Sequence, residues 1–332
     1  MEEFLKTCSL HTYSRDALSE ILKIIDLKSN ESIMIPDYIC IEVVERINKH
    51  TNNIISYSIN SSLLFDESEI KFKASNNVRA IIFVDFFGYH CAFSNDLKDF
   101  FKSKNILVIR DAAHSFLTHY ESNFSKNNQF DYFFTSIYKN LNTHVGSLLH
   151  QNKVKIKSKI SFREYLSRLV VNYVKFFLEP AFLINSKDKF NMPIIGEVKE
   201  KHSFLLDINF ARYFLRGSFN KQCEKTIKVK RRIAISMFES IQKIDGVDSV
   251  YRLDQLKVNT LMALPIKVEN FNLSKNLLRF FRSRGINSHR WPTFHPNLVN
   301  NQLSKKIILL PIDLKVNRLL ESNNQDVFVF RK

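Results

Sequence analysis

Glycine is scarce in this chain. Six occur in 332 residues, at positions 88, 146, 196, 217, 246 and 285, and no two lie two, three or five apart. A GxGxxG dinucleotide loop and a GxxxxGK phosphate loop are both excluded. Any phosphate must be held by side chains and a helix N-terminus instead. Cysteine is scarce too. Cys8, Cys40, Cys91 and Cys223 are widely scattered, which excludes a CxxC redox pair and zinc-type ligand spacing, so no metal is expected. Four scattered thiols in a chain of this length suit a reducing compartment better than a disulfide framework. The most apolar stretch, residues 166–184, is broken by Arg168, Asn172, Lys175, Glu179 and Pro180, and does not read as a spanning helix. The first residues lack the basic and apolar regions of a signal peptide. A cytoplasmic protein is expected.

Hydrophobic residues make up 45% and charged residues 25%, values that exclude a disordered or collagen-like chain. Lys and Arg outnumber Asp and Glu by 49 to 33, for a net charge of +16. Such an excess suits an anionic small molecule, a membrane surface or a nucleic acid. The densest basic run, KTIKVKRR at 225–232, leads into an apolar-periodic stretch and reads as the solvated face of a helix. No helix-turn-helix, zinc-finger or RNP-like pattern accompanies it, which disfavours nucleic acid.

Along the chain, helical and strand signals alternate. Residues 15–25 have helical apolar spacing, with Ser14 placed to cap them. Strands are expected at 32–36, 53–59, 78–85, 106–110, 131–135 and 146–149, and helices at 39–47 and 94–101. Strands separated by helices of about ten residues imply a mostly parallel sheet flanked by helices. Residues 155–220 carry long stretches of aromatic and basic residues. They read as a helical insertion packed on the main domain or a partner subunit, or as a membrane-surface segment. A smaller α+β unit follows: helix 231–244, strand 258–268, helix 273–284 stopped at Gly285, and strand 307–311. The division expected is a large α/β domain over 1–220 and a small C-terminal domain over 221–332.

Open α/β sheets bind ligands beyond the carboxyl ends of their strands. The expected strand ends lead into Asp111-Ala112-Ala113-His114 and Ser136-Ile137-Tyr138-Lys139, and Tyr13-Ser14-Arg15-Asp16 precedes the first helix. A carboxylate, an imidazole, hydroxyls, a lysine and a helix N-terminus thus converge on one edge. Pyridoxal phosphate asks for that set. It needs a lysine amine for a Schiff base, a carboxylate against its ring nitrogen, a ring stacked on its face and an anion site. Each residue alone has a plainer reading. Asp111 would cap a turn, His114 would be a satisfied core histidine, Ser136 an N-cap, and Lys139 a solvated surface residue.

The stretch IPDYIC…VRAIIFVDFFGY…ILVIRDAAHSF…DYFFTSIYKNL resembles the DegT/DnrJ/EryC1/StrS sugar aminotransferases, within the fold-type I pyridoxal phosphate enzymes. YSRDAL at 13–18 is similar to that family's phosphate loop, and SRGINSHRWP and IILLP to its small-domain segments. The most specific part is DAAH…SxxK, with 28 residues from Asp111 to Lys139. The resemblance implies Lys139 as Schiff-base lysine and proton carrier, Asp111 on the ring nitrogen and His114 near the ring. It implies Ser14, Arg15, Ser136 and Thr135 on the phosphate. It implies transfer of an amino group from glutamate to a keto sugar carried on a nucleotide, as in surface-polysaccharide or O-antigen synthesis, by a homodimer. His289, Arg290 and Trp291 are candidates for the sugar or diphosphate, and Trp291 alternatively anchors the small domain.

The sequence departs from the family at two places. Tyr13 and Ser14 stand where Ser and Gly are favoured. Residues 142–146, NTHVG, replace a glycine-rich turn. Lys139 stands where the related sugar dehydratases have His. Two other readings compete: a protein of this fold that binds cofactor or a partner without turnover, and a basic module for membranes or nucleic acid.

Overall fold

The computed structural model describes residues 7–74, 77–124, 129–141, 146–151, 217–292, 301–313 and 316. The aromatic-basic segment lies almost wholly outside the described residues, as do residues 142–145 of the turn after Lys139. Among the described residues no helix is long and apolar enough to cross a membrane.

The main sheet has seven strands: β1 (Cys8–His11), β2 (Ser32–Pro36), β3 (Ile54–Tyr57), β4 (Val78–Val84), β5 (Leu107–Ala112), β6 (Tyr132–Ser136) and β7 (Ser147–Gln151). Their order is β1-β7-β6-β5-β4-β2-β3. The pairs from β3 across to β6 are parallel, and β7 and β1 add antiparallel at one edge. The strands β2, β4 and β6 read as continuous apolar runs because they are buried along their length. The sequence leaves β1 unmarked: four residues on a sheet edge carry no alternation, and only the pairing with β7 fixes them.

Helix α1 (Ser14–Ile25) forms because Ala17, Leu18, Ile21, Leu22 and Ile25 recur on one face and are all buried. Tyr13, not Ser14, takes its N-cap, and the Tyr13 N–H donates to the Asp16 carboxylate at 3.1 Å. Ser14 is therefore the first helical residue. Helices α2 (Ile41–Asn48), α3 (Glu67–Lys73), α4 (Asn95–Ser103) and α5 (Phe116–Glu121) complete the large unit. The sequence does not mark α3 or α5, which have only seven and six residues and so show little periodicity.

Helix α6 (Gly217–Ile241) is one continuous element of 25 residues. It starts fourteen positions before the helix expected at 231 and runs through the 220/221 division. In the basic run, Lys225, Lys228 and Arg232 are exposed, whereas Ile227 and Ile233 are buried. Beyond it come β8 (Val247–Ser249), α7 (Leu253–Val258), β9 (Ala263–Val268), α8 (Phe271–Ser283), α9 (Asn301–Lys306) and β10 (Ile307–Pro311). The second sheet is antiparallel, in the order β10-β9-β8. The strand expected from 258 therefore begins only at 263.

Pro265 sits inside the central strand of that sheet without leaving a hydrogen bond unmade. It faces Leu309, whose N–H and C=O are both engaged by His289, and on the other side only the Pro265 C=O is used, by Val250 N–H. One buried apolar cluster contains residues of both sheets, among them Ile81, Phe83, Met237, Leu264 and Ile308. The two meet closely at Gly88. Its φ is +106°, and an added Cβ would lie 2.6 Å from the Thr260 carbonyl oxygen, so glycine is required there.

Candidate active site

The carboxyl ends of β4, β5 and β6 face the N-terminus of α1 across a cleft of about 240 Å³. Its lining brings together Ser14, Arg15, Asp111, His114, Lys139 and Trp291, residues spread over most of the chain. Val84, Ala113 and Phe134 also line it, and Cys40, Glu42 and Val43 contribute from the start of α2.

Asp111 is buried near the end of β5, and one of its oxygens accepts the Ala113 N–H at 2.9 Å. Burial pushes its carboxyl up to about 6, against the opposing pull of that N–H and of Lys139, with the Asp85 charge adding to the rise. Lys139 shows the reverse balance. Burial pulls its ammonium down, but Tyr138, Cys40, Asp111 and Glu42 outweigh it and hold the pKa above the ordinary lysine value.

His114 is a buried, neutral ring. Burial, reinforced by Lys139, depresses its pKa well below the usual value despite the opposing Asp85 charge. Its Nδ1 accepts the Phe87 N–H at 3.4 Å, which leaves the proton on Nε2. The imidazole stacks on Phe87, with centroids 5.6 Å apart and planes at 12°, and meets the Trp291 ring edge-on at 5.5 Å. Trp291 is fixed in turn by Tyr38, whose hydroxyl donates to the Trp291 carbonyl, and by Phe86 and Phe87.

At the α1 end, Ser14 is buried, and its hydroxyl lies 3.3 Å from that of Ser147, whose own proton goes to the Thr135 carbonyl at 2.7 Å. The Arg15 guanidinium lies over the Tyr13 ring, 4.4 Å from its centroid, and Tyr13 meets Tyr138 edge-on at 5.9 Å. Tyr13, placed where a small residue was favoured, thus carries Arg15 on one side and braces the residue before Lys139 on the other. Ser136 Oγ is buried with no hydrogen-bond partner.

Four candidates, Thr135, Ser136, His289 and Arg290, are not among the residues lining the cleft. The Thr135 hydroxyl spends its only proton on the Ala112 carbonyl, at 2.6 Å, so it ties β6 to β5 and has none left for a phosphate. Arg290 does not line the cleft: it donates to Ser274 at 3.1 Å and lies 4.5 Å from the Phe271 ring centroid. His289 does not line it either, and its backbone pairs with Leu309 of β10. Of that trio Trp291 alone reaches the cleft. Cys40, Glu42, Tyr13 and Tyr138 are lining residues that the motif pattern did not single out. The only signal for them was adjacency to Ser14 and Lys139, or to the IPDYIC segment.

The donor set suits pyridoxal phosphate. An ionisable carboxylate without a cationic side chain in hydrogen-bond reach, a lysine beside it, a flat neutral ring over the space and an unpartnered buried hydroxyl are what its ring nitrogen, aldehyde, ring face and phosphate each require.

The sequence model of the DegT/DnrJ/EryC1/StrS aminotransferase family matches residues 12–159. No curated protein matches the chain in sequence. Among solved structures, a protein of Streptococcus pneumoniae in a PMP form superposes with a TM-score of 0.66 at 13% identity, over 98% of this chain and 89% of that one. PseC of Helicobacter pylori, an aminotransferase involved in the biosynthesis of pseudoaminic acid, gives 0.64 at 14%, over 97% and 86%. A DegT DnrJ EryC1 StrS aminotransferase of Brucella abortus gives 0.62 at 16%, over 97% and 84%. Identities this low establish the fold, that of the fold-type I enzymes, and the sequence match covers residues 12–159. Over residues 12–159 the chain is thus similar to the DegT/DnrJ/EryC1/StrS aminotransferases, and over nearly its whole length it shares the fold of solved aminotransferases that carry pyridoxal or pyridoxamine phosphate.

Proposed function

We propose that this protein transfers an amino group from an amino acid, with glutamate as the donor, to a keto sugar carried on a nucleotide. The observation that carries the reading is the convergence of Asp111, His114, Lys139 and the α1 N-terminus on one cleft. When bound, pyridoxal phosphate supplies an aldehyde and an electron-withdrawing ring that accepts the electron pair of a breaking C–H bond.

The chain's own residues do the rest. Lys139 holds the aldehyde carbon through Nζ. Its Nζ would be the base that takes the proton from the donor's α-carbon and the acid that returns one to the sugar carbon. Lys139 must be deprotonated to add to the aldehyde, and its raised pKa makes cofactor loading faster as pH rises. Asp111 keeps the ring nitrogen protonated, and the positive nitrogen in turn relieves the cost of burying its charge. His114, kept neutral, covers the ring face without adding a competing cation. Ser14, Arg15 and Ser136 hold the phosphate beside the first turn of α1.

A diphosphate-bearing acceptor fits the net charge of +16. The proposal includes a cytoplasmic homodimer of two-domain subunits, with the cofactor domain built on the seven-stranded sheet and a smaller domain on the second sheet. The test is amino transfer from glutamate to a panel of keto sugar nucleotides, by the wild-type protein and by Lys139→Ala. Turnover lost in the variant supports the reading. Cofactor binding with no transfer to any acceptor would leave a binding protein of this fold.

A further inference from the structure

A buried polar cluster lies behind the cleft. Arg110 and Asp111 are neighbours on β5, so their side chains leave opposite faces of the sheet. Asp85, just after β4, and Arg110 are both 0% exposed. Arg110 Nε donates to the two Asp85 oxygens at 3.1 and 3.0 Å, and Nη2 donates to one of them at 2.6 Å. Asp85 also accepts the Cys91 N–H at 2.8 Å and the Ser115 hydroxyl at 2.6 Å, and His119 Nε2 lies 2.7 Å away.

The cluster has the spacing of a metal site, since ligand atoms of Asp85, His90 and His119 all lie within 4.8 Å of one another. The Arg110 guanidinium already stands among them, however, donating to Asp85 and to His90 Nδ1, and it supplies the positive charge an ion would bring. A cavity of about 510 Å³ opens beside it, but its Arg231 is held by Glu121 and the Val258 carbonyl.

The cluster's attachments point elsewhere. The Asp85 N–H donates to the Asp111 carbonyl at 2.9 Å. The Ser115 hydroxyl pins the residue after His114. Cys91 is held at both ends of its peptide groups, its N–H by Asp85 and its C=O by Arg110 Nη2 at 2.9 Å. That closes the loop 85–91, which contains Phe87 at φ +55°. A phenylalanine in the left-handed region is strained and persists only where its surroundings over-determine it. Phe87 is the residue that donates to, and stacks on, His114.

We propose that the buried Asp85–Arg110 pair is the positioning device of the active site, setting His114 and Phe87 in register through the Asp85 carboxylate and Asp111 through the Asp85 main chain. This inference rests on the cofactor roles proposed for Asp111 and His114. Asp85 also acts through its charge, which adds to the rise in the Asp111 pKa; the other charged side chains lining the cleft are Lys139, Glu42 and Arg15, with Cys40, Tyr138 and His114 as further titratable groups.

The test uses the double variant Asp85→Asn/Arg110→Met, which removes both charges and leaves no ion buried alone. Amide exchange is read in the cofactor-free protein, and pyridoxal phosphate affinity is measured against pH. Protection at Phe87, Ala113 and Ser115 should fall about tenfold or more while residues 17–25 of α1 keep theirs. Affinity should fall by about tenfold, a usual cost of losing an outer-shell partner. In Asp85→Asn alone, which keeps the Arg110 cation, the pH midpoint of binding should move down, because the charge that raises the Asp111 pKa is gone. Should the double variant not fold, Arg110→Lys, which keeps the charge but loses the fork, serves for the exchange and affinity comparison. Unchanged affinity and pH profile, or a loss of protection spread evenly into α1, would overturn the proposal. A wild-type protein that binds no pyridoxal phosphate would sink the functional reading, and the exchange comparison would still decide this one.

Discussion

The two faces of strand β5 solve the burial of charge in opposite ways. On one face Arg110 is matched to Asp85. Burial would raise the Asp85 pKa, but Arg110 and His119 outweigh it and hold the carboxyl far below its usual range. On the other face Asp111, one residue along, keeps a single backbone N–H as its hydrogen-bond donor, and its carboxyl is pushed up to about 6. A matched ion is structural. An unmatched one stores free energy that only an incoming cationic group can release. The contrast accords with the roles proposed for the two sides of the sheet, chemistry on the Asp111 side and scaffold on the Arg110 side.

Four changes break or sharpen that contrast, from the largest effect to the smallest. Lys139→Ala removes the only lysine among the described residues that line the cleft. Turnover should fall by about 10⁴-fold, equivalent to roughly 5.5 kcal/mol, with the fold intact by circular dichroism. Arg110→Met attacks the matched face and leaves the Asp85 carboxylate buried without its guanidinium. Denaturant unfolding at pH 7 should show a loss of about 3–5 kcal/mol, shrinking in acid as Asp85 takes up a proton.

Asp111→Asn attacks the unmatched face, and here the sign reverses. The folded pKa of about 6 lies above the reference value of 3.8, so the folded state binds the proton more tightly. The ionised carboxylate therefore costs stability above pH 6, and the cost disappears as pH falls through 6 toward 4. In the cofactor-free protein the variant should be more stable than wild type by on the order of 3 kcal/mol at pH 7, with no difference below about pH 4. It should also bind pyridoxal phosphate less tightly, so that stability and function move in opposite directions.

Arg15→Ala is the mildest change. It removes a cation over the Tyr13 ring, a contact worth about 0.5–1 kcal/mol at such a site. Thermal stability should hardly move, while phosphate competes less well with the cofactor for the α1 end.

The parallel core was readable because β2, β4, β5 and β6 are apolar runs ended by turn signals. The residues at their carboxyl ends are fixed by that reading alone. Strand β10 occupies residues 307–311 as expected, since IILLP admits no other buried arrangement. The failures share one cause, contacts distant in sequence. Nothing in residues 253–258 marks a helix until Arg231 and Tyr89 pack against that segment through Val258 and Gln255. Thr135 looked free because its bond to Ala112 crosses to a neighbouring strand. Asp85 and Arg110 looked like unrelated charges at the ends of two runs. Only the β4–β5 register, which sets Val84 beside Asp111 and Phe83 beside Arg110, makes them partners.

The central claim is that Lys139 is the residue that takes the cofactor, beside an unmatched Asp111. The most direct measurement is borohydride reduction of the purified protein with added pyridoxal phosphate, followed by peptide mapping. The account predicts a visible absorbance band that reduction abolishes, and a phosphopyridoxyl group on the peptide containing Lys139, absent in Lys139→Ala. No band, or label spread over surface lysines in wild type and variant alike, would contradict it.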